Sequence, residues 1–309
     1  MFNFGLIGVG GYIAPRHLKA IAATGNNLST CLDSNDSVGI IDAYFPEASF
    51  FTEPERFERH IDKLRRANKG LDYLSICSPN YLHDSHIRLG LRNGCNIICE
   101  KPIVVNPNNL GLLSIIESET GKKINNILQL RLHNSIIELK NSIDKNKIYD
   151  IDLTYITSRG MWYHHSWKAN KIKSGGLAMN IGIHFFDMLI WIFGDPIDNV
   201  IYKRTESTVS GFLTLDRARV RWFLSIDNKN LPSTSKRTYR SIKIDKKEIE
   251  FSSGFEDLHD KSYFEILNGN GFGIKDVEKS LQISSEIMSK ELQIRKIDNS
   301  FHALLRRKK

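Results

Sequence analysis

Long apolar runs are missing from this chain. The most hydrophobic stretch, Gly182 to Gly194, is broken by His184 and Asp187 and is too short to cross a bilayer. No membrane insertion is expected. The N-terminus lacks a basic region ahead of its apolar residues, which run straight into glycines. That is no signal peptide, and the expected location is the cytoplasm. Cysteine is scarce: Cys31, Cys77, Cys95 and Cys99 are the four present, all in runs that read as buried strands. Cys95 and Cys99 share a strand face, but their spacing is not that of a zinc pair. They read as small buried hydrophobes in a reducing compartment. Low-complexity segments and internal repeats are also missing, which excludes solenoids and long flexible linkers.

Acidic residues are outnumbered, 35 against 43 Lys and Arg, for a formal net charge of +8. The basic residues are spread along the chain. Dense runs occur at Arg306-Arg307-Lys308-Lys309 and between Lys236 and Lys247. There is no recognition-helix pattern and no interleaving of aromatic with basic residues, so nucleic acid is not the expected partner. An anionic small molecule accounts for the charge as well.

With 309 residues, 41% of them apolar, the chain can bury a sizeable core in one large domain or two ordinary ones. The first half alternates strand and helix signals. Strands are expected at Asn3 to Val9, Leu28 to Asp33, Ser49 to Phe51, Leu71 to Ser78, Cys95 to Cys99 and Lys123 to Gln129. Helical runs separate them. Ile13, His17, Leu18 and Ile21 fall on one face of the first, and Thr52 with Glu55 forms a capping-box pattern before the second. A helix over Tyr81 to Asn93 and another from Asn106-Pro107 to Gly121 complete the series. Such alternation predicts a parallel sheet with right-handed crossovers. After Asn134 the rhythm changes. A helix at Ile136 to Ile143 is followed by alternating runs at Tyr149 to Thr157, Asn199 to Lys203, Ser210 to Leu215, Arg219 to Ile226 and Arg240 to Phe251. Those predict antiparallel strands with one buried face. The expected division is residues 1–125 and 126–309.

Gly8-Val9-Gly10-Gly11 lies between the first strand and the first helix. Glycines there allow a tight turn and let backbone N–H groups approach a pyrophosphate. Ile13 stands where a strict GxGxxG has its third glycine, so the turn alone is a weak signal. Asp33 strengthens it. A carboxylate ending the second strand can accept from both ribose hydroxyls and repels a 2′-phosphate, which favours NAD over NADP. The bland alternative is a strand-end Asp that caps a helix.

In open α/β sheets ligands sit beyond the carboxyl ends of the strands. Ser78-Pro79-Asn80, with His83 one turn later, follows one strand, and Glu100-Lys101-Pro102 follows the next. A lysine pressed against a cationic nicotinamide loses part of its charge, which suits a general base. In the second half, Asn180, His184 and Asp187 recur at i, i+4 and i+7 on a helix that is otherwise apolar. Such a stripe is either a set of satisfied core residues or the wall of a cleft facing a sugar. His164, His165 and His184 match no standard metal spacing, and no metal is expected.

Together these residues resemble the Gfo/Idh/MocA oxidoreductase superfamily. The resemblance rests on Gly8-x-Gly10, Asp33, Ser78-Pro79-Asn80 with His83, Glu100-Lys101-Pro102, and Gly175-Gly176 leading to Gly182-Ile183-His184-Phe185-Phe186-Asp187. It implies an N-terminal Rossmann domain that holds NAD. It also implies a C-terminal α+β domain with a large, mostly antiparallel sheet that serves for substrate binding and for assembly into a dimer or tetramer. Lys101 and His184 are implied as the catalytic pair. Asn180 stands where many members have Asp. In detail the chain is similar to the bacterial UDP-N-acetyl-D-glucosaminuronate 3-dehydrogenases of the WlbA/WbpB type. The similar segments are Gly11-Tyr12-Ile13-Ala14-Pro15-Arg16-His17, Leu128-Gln129-Leu130-Arg131, Ser166-Trp167-Lys168, Ala218 to Ser225, and Leu258-His259-Asp260-Lys261-Ser262-Tyr263 with Gly271-Phe272-Gly273.

That subgroup works in surface-polysaccharide (O-antigen) sugar synthesis, and some members reoxidise NADH with 2-oxoglutarate. The implied substrate is a UDP-linked amino-uronic acid. The implied cofactor contacts are Gly8, Gly10, Gly11, Tyr12, Ile13, Asp33, Ser78, Pro79, Asn80, His83, Glu100, Lys101, Gln129, Trp167 and Lys168. The implied substrate contacts are Lys101, Arg131, Tyr163, Lys168, Asn180 and His184. An inositol or another nucleotide sugar as substrate, and a non-catalytic NAD-binding sensor, stay open on the sequence.

Overall fold

A computed structural model describes every residue of the chain except 234, 236, 246, 251–253, 294, 295 and 307–309. Lys236 and Lys246 of the inner basic run, Arg307, Lys308 and Lys309 of the tail, and Phe251 of the last alternating run therefore lie outside the described residues. Two compact units emerge. The first is Met1–Gln129 with Glu256–Glu278; the second is Leu130–Phe255 with Lys279–Lys309. The division at residue 125 thus meets a segment, Glu256–Glu278, that groups with the first unit although it lies far along the chain.

The first unit is built from β1 (Asn3–Ile7), α1 (Ala14–Ala23), β2 (Asn27–Leu32), β3 (Ser49–Phe51), α2 (Pro54–Arg66), β4 (Tyr73–Ile76), α3 (His83–Arg92), β5 (Asn96–Cys99), α4 (Asn109–Thr120) and β6 (Ile124–Asn126). All six strands pair in parallel, in the order β3-β2-β1-β4-β5-β6. The order reverses between β1 and β4, and in open α/β sheets such a switch point is where ligands bind, beyond the strands' carboxyl ends. Phe4, Leu6, Leu74, Ile76, Ile97 and Ile98 are fully buried, as residues of a sheet covered on both faces must be.

Two helix starts differ from the sequence patterns. Thr52 and Glu55 make no capping box: α2 starts at Pro54 after Glu53, with no side-chain cap. Proline supplies the preset φ and has no N–H to satisfy. Asn106 stays outside α4, its side chain accepting from the backbone N of Asn108 at 3.1 Å in a local turn.

The second unit contains α5 (Asn134–Ser142), β7 (Tyr149–Thr157), α6 (Met161–His165), α7 (Lys171–Ser174), a π-helical turn (Ala178–Gly182), α8 (Ile183–Phe193), β8 (Pro196–Arg204), β9 (Thr208–Leu215), β10 (Ala218–Ser225), β11 (Thr238–Ile244) and β12 (Lys247–Glu250). Its sheet runs β12-β11-β7-β10-β9-β8 and is antiparallel except between β7 and β10. The run from Arg240 is thus a hairpin rather than one strand, turned at Asp245, whose φ is +48°. The core of this unit lies between the sheet and α8, where Phe186 meets Trp222 edge-on at 5.4 Å.

The π turn joins α8 to the preceding helical residues, so Lys171–Phe193 is longer than the apolar stretch read from sequence. Among the described residues it is the one helical run long and apolar enough to span a membrane, at 23 residues and a mean hydropathy of 1.5. Its window is 83% buried inside the protein, which makes it a core helix.

Beyond residue 255 come α9 (Leu258–Leu267), α10 (Ile274–Ser289) and α11 (Ala303–Arg306). In the first unit α9 puts Tyr263 and Ile266 into the core that α1 also fills. In the second unit the segment before α11 straps the sheet. Phe301 stacks on Tyr202 at 4.0 Å, His302 lies on Phe223, and His302 Nε2 is 3.0 Å from Thr154 Oγ1.

Candidate active site

The chain leaves β1 through a turn that tolerates only glycine. Gly8 has φ +89°, and a Cβ there would lie 2.6 Å from the backbone N of Ser78, just past β4. The turn is held by the Gly8 N–H, which donates to Leu32 O at 2.7 Å. Gly10 donates to Asp33 Oδ2 at 2.9 Å, and Asn35 donates to Asp33 Oδ1 at 2.9 Å. Each carboxylate oxygen keeps a further lone-pair direction for a ligand. Ile13, at the missing third glycine, is the N-cap of α1 and supplies no capping side chain; there is no acidic residue in the first turn. Ala14 N–H donates to Gly11 O at 3.1 Å, Arg16 N–H donates to Ile13 O at 3.0 Å and Pro15 has none, so what this end of α1 offers an anion is its positive dipole, with no acidic side chain opposing it. Tyr12 beside it is 90% exposed. A glycine cradle, an uncapped helix N-terminus and a strand-end carboxylate fit the pyrophosphate and ribose of a dinucleotide.

The two strand-end segments are locked by histidines. His83 Nδ1 is 2.6 Å from Pro102 O and its Nε2 is 2.8 Å from Ser78 O, so one buried ring ties both segments together. Burial pushes the His83 ring down from its ordinary value, against the pull of the two carbonyls. Ser78 Oγ lies 2.9 Å from His86 Nδ1, and burial pushes His86 down to about 4. The peptide between Lys101 and Pro102 is cis. Asn80 and Glu100 are buried and Lys101 is half-buried.

Glu100 sits at the centre of a polar cluster. Its Oε1 accepts from His17 Nε2 at 3.0 Å and from His259 Nε2 at 2.9 Å. Its Oε2 is 3.3 Å from the Lys101 backbone N. Burial alone would raise the Glu100 carboxyl, but the bonds from the two histidines outweigh it and hold it well below the usual range. The ionised carboxylate fixes every direction in the cluster. His17 Nε2 must donate, so its Nδ1 accepts from the Tyr263 hydroxyl at 2.7 Å, which in turn accepts from Ser75 Oγ at 2.6 Å. Burial lowers His17, which keeps the ring neutral as this pattern requires. Gln129 reaches the same place, its Nε2 3.5 Å from His259 Nε2. Among the described residues, His17, Glu100 and His259 are the only His, Cys, Asp and Glu donors close enough to hold an ion. Their mutual hydrogen bonds account for the arrangement without one.

In the second unit the polar stripe is bent by the π turn that contains Asn180, because one extra residue per turn shifts the register. Asn180 Nδ2 donates to Tyr163 OH at 3.0 Å. Asp187 accepts from Arg131 through both oxygens, at 2.7 and 3.0 Å, a fully buried bidentate pair. The guanidinium of Arg131 is therefore committed to α8. It also lies 5.9 Å from the centre of the Trp191 ring. His184, on the next turn after Asn180, is half-buried. Tyr163, Lys168 and Met288 help line a cavity of about 440 Å³ within this unit. Lys168 Nζ lies 4.4 Å from the centre of the Trp167 ring. His164 and His165 are exposed and form no metal cluster with His184 among the described residues.

The structure thus groups Gly8, Gly10, Asp33 and Ser78; Glu100, Lys101, His83 and Gln129; and Asn180 with Tyr163. His17, His259 and Tyr263 were given no role on sequence. The available signal was His17 itself, a polar residue on the apolar face of α1.

Comparison with known proteins bears on these groups. The model of the Gfo/Idh/MocA oxidoreductase family, NAD-binding Rossmann fold, matches residues 2–127, and that of its C-terminal alpha/beta domain matches residues 139–232. A solved structure of the WlbA (WbpB) dehydrogenase from Thermus thermophilus, in complex with NAD and alpha-ketoglutarate, is 46% identical. It has a TM-score of 0.95 over 98% of this chain and 99% of that one. A second structure of that dehydrogenase, with NAD and UDP-GlcNAcA, is also 46% identical, with a TM-score of 0.93 over 96% and 97% of the two chains. The inositol 2-dehydrogenase of Rhizobium meliloti is 29% identical over 62% of this chain and 55% of its own length. The chain matches only 36% to 55% of the length of three such curated relatives.

Proposed function

Because the chain belongs to the Gfo/Idh/MocA oxidoreductase family, we propose that it oxidises the C3 hydroxyl of UDP-N-acetyl-D-glucosaminuronic acid in an NAD-dependent reaction. The observation that carries this reading is the end-to-end likeness, at 46% identity, to a dehydrogenase solved with NAD and UDP-GlcNAcA. The glycine turn, the uncapped α1 and Asp33 are the residues that would hold NAD. Hydride acceptance from C3, and its return to a 2-oxo acid such as 2-oxoglutarate, is the chemistry NAD supplies when bound.

The protein's own part is to move a proton and to hold a sugar. Lys101 or His184 takes the hydroxyl proton as C3 becomes a ketone, and the other orients the hydroxyl. Asn180 and Tyr163, already bonded to each other, present an amide and a phenol to sugar hydroxyls. Lys168 offers a cation for a carboxylate or phosphate. Arg131 braces α8 through its bidentate pair with Asp187 and stays a candidate contact for the sugar. A net charge of +8 suits a substrate with a diphosphate and a carboxylate. The four free, buried cysteines suit a reducing cytoplasm.

The test is a panel of UDP-GlcNAcA, UDP-GlcNAc and inositol with NAD, with and without 2-oxoglutarate, the products read by mass spectrometry. A 3-keto product from UDP-GlcNAcA is expected. Lys101→Ala and His184→Asn should each lower turnover by about a hundredfold or more, with melting temperatures near that of the wild type. Turnover of inositol with UDP-GlcNAcA inert overturns the substrate. Two folded variants with near wild-type turnover overturn the catalytic pair.

A further inference from the structure

We propose that His17 and His259 are positioning residues that act on Lys101 through Glu100. This rests on the reading of Lys101 as a catalytic group, and every residue involved belongs to the first unit. The observation is a convergence from three separate elements. His17 comes from α1, His259 and Tyr263 from α9, and Glu100 from the end of β5. Two imidazole N–H groups aim at one carboxylate oxygen, Oε1 of Glu100, at 3.0 and 2.9 Å. Tyr263, held by Ser75, fixes which nitrogen of His17 carries the proton. His259 Nδ1 is buried with no hydrogen-bond partner. That ring leaves one of its own polar atoms unsatisfied to deliver its other nitrogen to Glu100, an expense that packing alone does not explain.

The commitment matters because Glu100 is the chain neighbour of Lys101. A buried carboxylate beside an ammonium pairs with it and holds the proton on the amine, the opposite of what a base needs. Two histidine donors on Oε1 fix the carboxylate in place. On the far side the Pro102 carbonyl is fixed by His83, and Asn126 Nδ2 donates to Glu100 O at 3.2 Å. The backbone that carries Lys101 is thus held on both sides, which sets where its side chain starts from. Among the described residues, the ionisable groups that act on Glu100 include His17, His259, His83, Tyr263, Cys77 and Cys99.

The experiment compares His259→Leu, His259→Gln and Tyr263→Phe with wild type in the full-length protein. Glutamine keeps an N–H that reaches Oε1; leucine does not. Three readouts are taken: kcat against KM for the sugar, NADH affinity by fluorescence, and the rate at which the Lys101 amine is acylated, followed by mass spectrometry at one pH. For His259→Leu, kcat and Lys101 acylation should both fall about tenfold, while KM and NADH affinity stay within about threefold. His259→Gln should recover most of both losses. Where His259→Leu fails to fold, Tyr263→Phe, which keeps the ring packing, should show the same two losses in smaller measure.

Unchanged kcat and acylation in a folded His259→Leu or Tyr263→Phe protein overturns the proposal. So does a loss that glutamine does not rescue. The acylation readout needs no substrate. If wild type turns over none of the sugars, the proposed reaction fails, while Lys101 reactivity still decides the role of the histidines.

Discussion

The Asp33 carboxylate accepts from Gly10 and Asn35 to shape the turn after β2, and on the proposed reading its remaining lone pairs take the ribose hydroxyls of the adenosine. A charge-assisted hydrogen bond is worth about 1.5–3 kcal/mol, and a 2′-phosphate brought against the same carboxylate is repelled. Asp33→Ser keeps one short acceptor and removes the charge. NAD affinity should fall about tenfold to a hundredfold, and the preference for NAD over NADP should shrink or reverse, as read by Kd for both cofactors. An unchanged preference would place discrimination elsewhere. The legibility of single residues follows the same division. Asp33, Ser78 and Glu100 stand next to glycines, prolines and strand ends whose spacing gives them away. His17 and Glu100 are 83 positions apart, and Arg131 and Asp187 are 56 apart. Nothing local announces such pairs, so the bonds that join Arg131 to Asp187 and His17 to Glu100 have no signal in the sequence.

At the scale of elements, strands were readable because burial on two faces or on one imprints different hydrophobic patterns. Helix ends were less so. Pro54 displaced a capping box that the residues Thr52 and Glu55 could have formed, and the π turn under Asn180 moved a stripe that a regular helix would have kept straight. The segment before α11 was invisible because its signal is packing on a distant sheet. Its His302 is pushed down to about 4, by burial first and by Arg221, Arg306 and Lys243, with Asp152 pulling the other way. The linkage has a definite sign. Above the unfolded value near 6.5 the ring is neutral in both states. As pH falls below that, the unfolded chain takes the proton and the folded one does not until about 4, so stability drops across that window. Between pH 7 and pH 5 the loss from this ring is about 2 kcal/mol. His302→Gln, which can still reach Thr154, should lose that much less than wild type in urea unfolding at the two pH values. Parallel losses in both proteins would remove His302 from the account, since His17, His83 and His86 titrate alike in each.

At the scale of the whole molecule, each of the two compact units has a core of its own. Phe4, Leu6, Ile21, Ile98 and Tyr263 belong to one; Leu153, Phe186, Phe193 and Trp222 belong to the other. The glycine turn, Asp33 and α1 all stand on the first, so a cofactor held there acts on that unit by mass action. A ligand at a hundred times its Kd stabilises the state that binds it by about 2.7 kcal/mol. NAD should therefore raise the melting temperature, and NADP should raise it much less at equal concentration. Hydrogen exchange locates the effect. Added protection is expected in β1, β4 and the turn from Gly8 to Gly11 that joins β1 to α1. Strands β7, β9 and β10, which have their own core, should change little when NAD is added alone. Protection that rises first in that second sheet would mean that the dinucleotide is held by residues other than the cradle at Gly8. Because Gly8 and Asp33 would then be only the parts of a turn, the measurement separates a binding site from a fold that merely resembles one.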